Sequence, residues 1–321
     1  MRSSVAVVAA IAGCACSHPS ALSGLVSETR TASSALPRHE VAVTMDDLGV
    51  TDESSAPALS MQILAHLRSA KAPVAIFVNC QKLRDDTLEL WRAAGATIGN
   101  HTNAHLSLDD GDGPGVSTAW WNGVESCDER LTRALGQPVR YFRFPFLRYG
   151  STEARKRDAA ERLRTLNYQV AHVTAATSEW LLAAYYDVAT ASSDAALARD
   201  LAARYVEHMV ETLAAAERLS VGKTGRDVRQ ITLLHVNRLA ADHLGEVLAA
   251  LEERKWRFIS LSDALADPVY ALPDSYVGGC SCSWLARIDP PLKPDDEYVF
   301  GDYETRLRAE FEGRVAALQN Q

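Results

Sequence analysis

Two adjacent carboxylates, Asp46 and Asp47, follow the apolar segment Val41-Ala42-Val43. That segment predicts a short buried strand, and Gly49 allows the chain to turn sharply after it. Because neighbouring side chains on a strand point in opposite directions, one carboxylate can bind a metal while the other handles a proton. An acidic turn explains most such pairs, so the chemistry depends on residues further along the chain.

His101 and His105 are four residues apart and follow a second predicted strand, which covers residues 97–99. On a helical turn this spacing puts both imidazoles on one face, at the separation that one divalent cation needs. In a strand-helix fold the carboxyl ends of the strands share one face, where functional sites gather. Two imidazoles and one carboxylate leave coordination positions for water, as in a catalytic metal site. The alternative is a pair of unrelated histidines in a polar turn.

Arg143 and His235 stand at the ends of two further predicted strands. An arginine that points inward there must be paired, because an isolated buried charge is very costly. An aspartate is the natural partner, and two parallel hydrogen bonds would fix its carboxylate. Beside a metal site, His235 becomes a candidate general acid. Without the other motifs, Arg143 would more often be a solvent-facing arginine at a strand end, and His235 would more often be a core histidine with satisfied hydrogen bonds.

These residues need a framework of strands and helices, and the sequence alternates between the two from residue 39 onward. The pattern predicts an α/β fold with helices outside a mainly parallel sheet, and its seven or eight strand-helix repeats indicate a closed or partly closed barrel. Helices are predicted over residues 56–69, 85–94, 117–135, 152–166, 194–219 and 240–254, with a polar loop over 222–229. We predict a catalytic domain over 39–268 and a C-terminal extension over 269–321 that wraps the domain and carries an amphipathic helix.

The N-terminus has the features of an export signal: one arginine, a short apolar run and small residues after it. We predict a signal peptide over residues 1–17 and a flexible tether over 18–38. The residues Ile11-Ala12-Gly13-Cys14 resemble a bacterial lipobox, which favours a lipid anchor on Cys14 over an ordinary signal peptide cut at residues 15–18. Both alternatives predict an exported protein of the periplasm or cell envelope, and the first predicts a lipid anchor in the outer membrane.

Composition and charge narrow the classes of partner. The chain has 321 residues, a hydrophobic content of 47% and a formal net charge of −8. A core of that composition supports one large domain. The negative charge argues against nucleic acid as a partner, because phosphate binding needs a basic face. No protein partner is predicted.

Four motifs together resemble the polysaccharide deacetylases, carbohydrate esterase family four, whose domain is also called the NodB-homology domain. They occur in the order and rough spacing of that family, within residues 39–265: Thr44-Met45-Asp46-Asp47, His101-Thr102-Asn103-Ala104-His105, Arg143-Phe144-Pro145-Phe146 and Leu233-Leu234-His235. The resemblance implies a distorted (β/α) barrel of about seven parallel strands and metal-dependent removal of an acetyl group from an N- or O-acetylated carbohydrate, which is the expected partner. It also implies a divalent metal, usually Zn²⁺.

The resemblance also assigns roles to individual residues. It implies that the metal ligands are Asp47, His101 and His105. It further implies that Asp46 is the general base, that His235 is the general acid and that Arg143 orients Asp46. The expected substrate pocket is lined by Phe146, Trp180, Leu233 and Glu179.

Two departures from the family pattern concern the segment before Trp180. Ala176 stands where the family often has an aspartate that helps fix the arginine, and Glu179 replaces a shorter aspartate. Arg143 is therefore expected to rely on Glu179 or on no acidic residue of this segment. We expect altered specificity or a reduced rate rather than loss of the metal. The alternatives are a non-catalytic glycan-binding relative of the envelope and a hydrolase of a non-sugar amide bond.

Overall fold

The computed structural model describes residues 39–50, 56–111, 113, 115–279, 282–291 and 301–319. The predicted signal peptide, Cys14 and the predicted tether lie outside the described residues. No helix in the described ranges is long and apolar enough to cross a membrane.

All strand pairs of the described sheet are parallel. The strands are β1 (Glu40–Leu48), β2 (Val74–Val78), β3 (Thr97–Asn100), β4 (Tyr141–Phe142), β5 (Gln169–Val170), β6 (Gln230–Ile231), β7 (Leu234–His235) and β8 (Arg257–Phe258). The order is β5-β4-β3-β2-β1-β6, and β7 and β8 also pair with β1. A parallel bridge from Ala175 to Thr232 joins the segment after β5 to the segment after β6. The sheet thus curls into a distorted barrel, and the predicted α/β fold is confirmed.

Helices surround this sheet. They are α1 (Ala56–Ser69), α2 (Asp85–Ala93), α3 (Thr118–Leu135), α4 (Glu153–Thr165), α5 (Glu179–Ala191), α6 (Ala195–Thr224), α7 (Arg238–Glu253), α8 (Leu261–Leu265), α9 (Trp284–Arg287) and α10 (Gly301–Gln319). Short 3-10 helices cover Pro145–Leu147 and Pro268–Ala271. A disulfide between Cys80 and Cys127 ties the segment after β2 to α3.

Two helices differ from the sequence prediction. Helix α5 was not predicted, because it is buried on several sides and lacks a one-sided apolar period. The polar segment 222–229, expected to be a loop, begins as the last turn of α6. That helix ends at Gly225, whose φ of 73° is the left-handed conformation typical of a C-terminal glycine cap.

The C-terminal helix α10 packs on α5. It contributes four buried apolar side chains to the main core: Tyr303, Leu307, Phe311 and Val315. This part of the predicted wrapping tail is therefore an integral layer of the fold. The predicted domain boundary at 268–269 stays a prediction.

Candidate active site

The end of β1 brings Asp46 and Asp47 to the same place. The register with β2 shifts between Met45 and Leu48, which marks a bulge. Within it, Asp47 has a φ of 69°, a left-handed conformation that is uncommon for a residue other than glycine. Regular strand alternation would separate the two side chains. Instead, a carboxylate oxygen of each lies 3.6 Å from Nε2 of His101.

The two histidines lie on an irregular loop after β3, so the expected helical turn is wrong. Left-handed conformations at Thr102 (φ 68°) and His105 (φ 55°) fold the loop back on itself. The Oδ1 atom of Asn100 accepts a hydrogen bond of 2.7 Å from the backbone N–H of Thr102, which fixes the start of the loop. The two imidazole rings come to lie 4.9 Å apart, centroid to centroid.

Asp47, His101 and His105 form a set of donor atoms suited to a cation. Their ligand atoms all lie within 4.8 Å of one another. Oδ1 of Asp47 is 3.6 Å from Nε2 of His101 and 3.4 Å from Nε2 of His105. This oxygen is buried and has no hydrogen-bond partner among the described residues. Because an unsatisfied buried carboxylate oxygen is costly, the arrangement fits a divalent metal.

The protonation of the histidines also fits a metal. Nδ1 of His101 donates a hydrogen bond of 2.8 Å to the carbonyl of Arg143, which leaves the lone pair of Nε2 free to coordinate an ion. Burial holds the pKa of His101 well below its usual value, and burial also lowers the pKa of His105. Both rings are therefore neutral near pH 7, as metal ligands must be.

Arg143 is fully buried and holds Asp46. Its Nη1 donates to both carboxylate oxygens of Asp46, at 3.2 and 3.4 Å. Nη2 donates to Oγ1 of Thr44 at 3.0 Å, and Nε donates to the carbonyl of Ala171 at 2.7 Å. The guanidinium also lies over the ring of Phe77, 4.3 Å from its centroid. None of these partners is Glu179 or another acidic residue of the segment before Trp180, which is the second of the two alternatives expected for Arg143.

Burial raises the pKa of Asp46 to about 6, against the lowering effect of the Arg143 and His235 charges. A carboxylate with a pKa near 6 is ionised at neutral pH and is still basic enough to accept a proton. Asp46 lies outside the three-residue donor set, so its carboxylate remains available for proton transfer.

Glu179 lies behind His235. The Oε1 atom of Glu179 accepts a hydrogen bond of 2.6 Å from the backbone N–H of His235 and lies 3.3 Å from Nδ1 of the ring. Nδ2 of Asn237 donates to Oε2 of Glu179 at 3.2 Å. Burial lowers the pKa of His235, but the Glu179 carboxylate outweighs it and the net pKa is raised to about 9. His235 is thus protonated at neutral pH and can donate a proton.

The four expected pocket residues separate into two groups. Phe146 and Trp180 are exposed, and the ring of Phe146 lies 4.4 Å from that of His105. Leu233 is buried in the core. Glu179 is fully buried and bonded to His235, so it supports that ring rather than lining a pocket.

Sequence reasoning missed three residues that position the site. Thr44 is the first residue of the first motif and Asn237 follows the last motif, and each bonds a charged side chain of the site. His208 on α6 accepts a hydrogen bond of 2.9 Å from the backbone N–H of Ser178. Proximity to a motif could have indicated the first two. His208 carried no signal, because its role depends on the packing of α6 against α5.

Comparisons with known proteins find similarity in part of the sequence and in the fold. Residues 33–170 match the family model described as polysaccharide deacetylase. This part of the chain is similar to the polysaccharide deacetylase family. The matched region contains the three donor residues, Asp46 and Arg143, and ends before Glu179 and His235. Polysaccharide deacetylases generally depend on a divalent metal, and this similarity supports a hydrolase that acts on acetylated carbohydrate.

Solved structures resemble the fold. A mutant of a family-four pseudoenzyme from Bacillus anthracis is 14% identical, with a TM-score of 0.51, and the match covers 71% of this chain and 68% of the other. A polysaccharide deacetylase from Bacillus cereus is 17% identical, with coverage of 70% and 92% and a TM-score of 0.49. The peptidoglycan deacetylase PdaC from Bacillus subtilis is 17% identical, with coverage of 71% and 90% and a TM-score of 0.47. No curated protein matches the chain.

Proposed function

We propose that this protein is an exported, metal-dependent hydrolase that removes acetyl groups from an N- or O-acetylated glycan. One observation carries the proposal: the donor atoms of Asp47, His101 and His105 converge beside an acid and a base that are not part of the donor set. The match of residues 33–170 to the deacetylase family supports the substrate class. Two imidazole nitrogens and one carboxylate oxygen favour Zn²⁺.

Asp47, His101 and His105 would hold the metal. When bound, such an ion acts as a Lewis acid towards an acetyl carbonyl and makes water easier to deprotonate. Asp46 accepts the proton of the attacking water, and Arg143 keeps its carboxylate ionised and oriented through two hydrogen bonds.

His235 completes the reaction as the general acid. Its protonated ring delivers a proton to the departing amine or alcohol, and Glu179 holds the ring in place from behind. An amine leaves poorly without that proton. The exposed rings of Phe146 and Trp180 supply apolar surface on which a sugar can pack.

The test is acetate release by the purified protein from chitooligosaccharides, peptidoglycan and acetylxylan. We expect a chelator to abolish release and Zn²⁺ to restore it, and Asp47→Ala to remove both the metal and the activity. A matched control is Glu125→Gln, which changes an exposed carboxylate on α3. Failure of every acetylated substrate with the metal bound would contradict the proposal.

A non-catalytic glycan-binding protein is the second candidate. One resembling structure is described as a family-four pseudoenzyme, so the fold occurs without activity. A binding protein has no need of an ionised base held by Arg143 and a protonated acid held by Glu179, which favours the enzyme. Zinc and glycan binding without turnover of any amide or ester would favour this second candidate.

Export rests on the N-terminal sequence. We propose that residues 1–17 direct secretion and that Cys14 carries a lipid. Incorporation of radiolabelled palmitate, lost in Cys14→Ser, tests the anchor. Unlabelled protein in the culture medium would favour an ordinary signal peptide.

A further inference from the structure

A second group of metal-ligand side chains lies at the start of β1: His39, Glu217 and Asp227. His39 immediately precedes β1, Glu217 lies near the end of α6, and Asp227 lies on the segment before β6. The candidate active site lies at the other end of the same strand. Seven residues of extended chain separate His39 from Asp46, a distance of about 23 Å. The two groups therefore cannot share an ion.

The donor atoms of this second group have the spacing of ligands around one ion. Nδ1 of His39 lies 3.3 Å from Oε1 of Glu217 and 3.6 Å from Oδ2 of Asp227. All three ligand atoms lie within 4.8 Å of one another. Ligands at tetrahedral positions around Zn²⁺ are about 3.3–3.4 Å apart, given metal–ligand distances near 2.0–2.1 Å. The corresponding distances in the candidate active site are 3.4 and 3.6 Å.

The ring of His39 is unsatisfied where it faces the carboxylates. Its Nδ1 atom is buried and has no hydrogen-bond partner within the described ranges. The ring packs against Trp256 at a centroid distance of 5.1 Å, and the carbonyl of His39 accepts a hydrogen bond of 2.7 Å from the backbone N–H of Arg257. The imidazole is therefore held in position by its surroundings as well as by its contacts with the two carboxylates.

Asp227 is also held in position. Its side chain is 6% exposed, and Oδ1 accepts a hydrogen bond of 3.5 Å from Nε2 of Gln230. The other oxygen, Oδ2, points towards His39. An outer hydrogen bond of this kind orients a metal-binding carboxylate. The two carboxylates gather negative charge that a divalent cation would neutralise.

We propose that His39, Glu217 and Asp227 bind a second divalent cation, with Zn²⁺ the best match to one nitrogen and two oxygen ligands. This ion would join three separate segments: the start of β1, the end of α6 and the approach to β6. Because an ion that binds only the folded state stabilises it, the site would act as a structural clamp remote from catalysis.

The test uses the full-length protein, stripped with a chelator and dialysed against Zn²⁺. His101→Ala removes the first site, so any zinc that remains bound can be assigned to His39, Glu217 and Asp227. We expect one zinc per chain in His101→Ala, and none in the double variants that add His39→Ala or Glu217→Gln. Zinc should raise the melting temperature of His101→Ala and leave that of the double variants unchanged. Glu125→Gln in the His101→Ala background is the matched control and should retain the zinc.

Glu217→Gln keeps the size of the side chain, so it tests the site even where His39→Ala fails to fold. On its own it should lower the zinc content by one per chain and leave acetate release unchanged. If His101→Ala binds no zinc, or binds the same amount after Glu217→Gln, the proposal is overturned and the group is an ordinary ion pair. Neither result depends on the deacetylase activity, which is tested separately.

Discussion

Oε1 of Glu179 lies 3.3 Å from Nδ1 of His235 and also accepts a hydrogen bond from the backbone N–H of His235. One buried carboxylate thus fixes both the position and the charge of the candidate general acid. We expect Glu179→Gln to lower the pKa of His235 from about 9, because the negative charge that raises it is removed.

This change should appear as a shift of the pH profile. His235 must be protonated to act as an acid, so activity falls as the pH rises through its pKa. In Glu179→Gln the alkaline limb of kcat/KM should move down by at least one pH unit, or about 1.4 kcal/mol. Glu252→Gln, an exposed control on α7, should leave the profile unchanged. An unaltered limb in Glu179→Gln would mean that another group sets it.

The acid limb of the pH profile of activity should report the protonation of Asp46. Burial raises its pKa to about 6, and only the ionised form accepts a proton. Activity should therefore fall as the pH drops through this region. Asp46→Asn should keep its zinc, and its kcat should fall about 10²–10⁴-fold. Zinc content by mass spectrometry and kcat by acetate release separate the two effects, and full activity in this variant would refute the base assignment.

His235→Ala should discriminate between substrates. An amine needs a proton to leave, whereas an activated phenol leaves as an anion. We expect a larger loss of kcat/KM on an N-acetylated oligosaccharide than on an aryl acetate, measured on the same preparation. Equal losses on both substrates would count against the acid role.

Arg143→Met should destabilise the fold, because it leaves the Asp46 carboxylate buried without its cation. Breaking a buried ion pair in this way costs about 3–5 kcal/mol. Urea unfolding of the metal-free protein measures the loss. Asp46→Asn in the same chain should recover part of it, and strict additivity of the two changes would show that the pair is not coupled.

The sequence was sufficient for the fold class, through its alternation of strands and helices, and for most of the residues that meet at the candidate site, through its four motifs. It was not sufficient for their geometry. Strand alternation separates Asp46 from Asp47, and only the bulge with a left-handed Asp47 brings both to His101. The role of Glu179 was also hidden, since it depends on α5, a helix buried on too many sides to show a period.

Helix α10 is linked to the candidate active site by a chain of packing contacts. Tyr303 on α10 contacts His208 edge-on at 5.1 Å, and His208 accepts the backbone N–H of Ser178, the residue before Glu179. Removing residues 301–319 would uncover α5 and remove the Tyr303 ring that packs on His208. A shortened protein should therefore hold His235 less firmly and keep Asp47, His101 and His105 in place, and it would be a poor form in which to judge whether this chain is an enzyme.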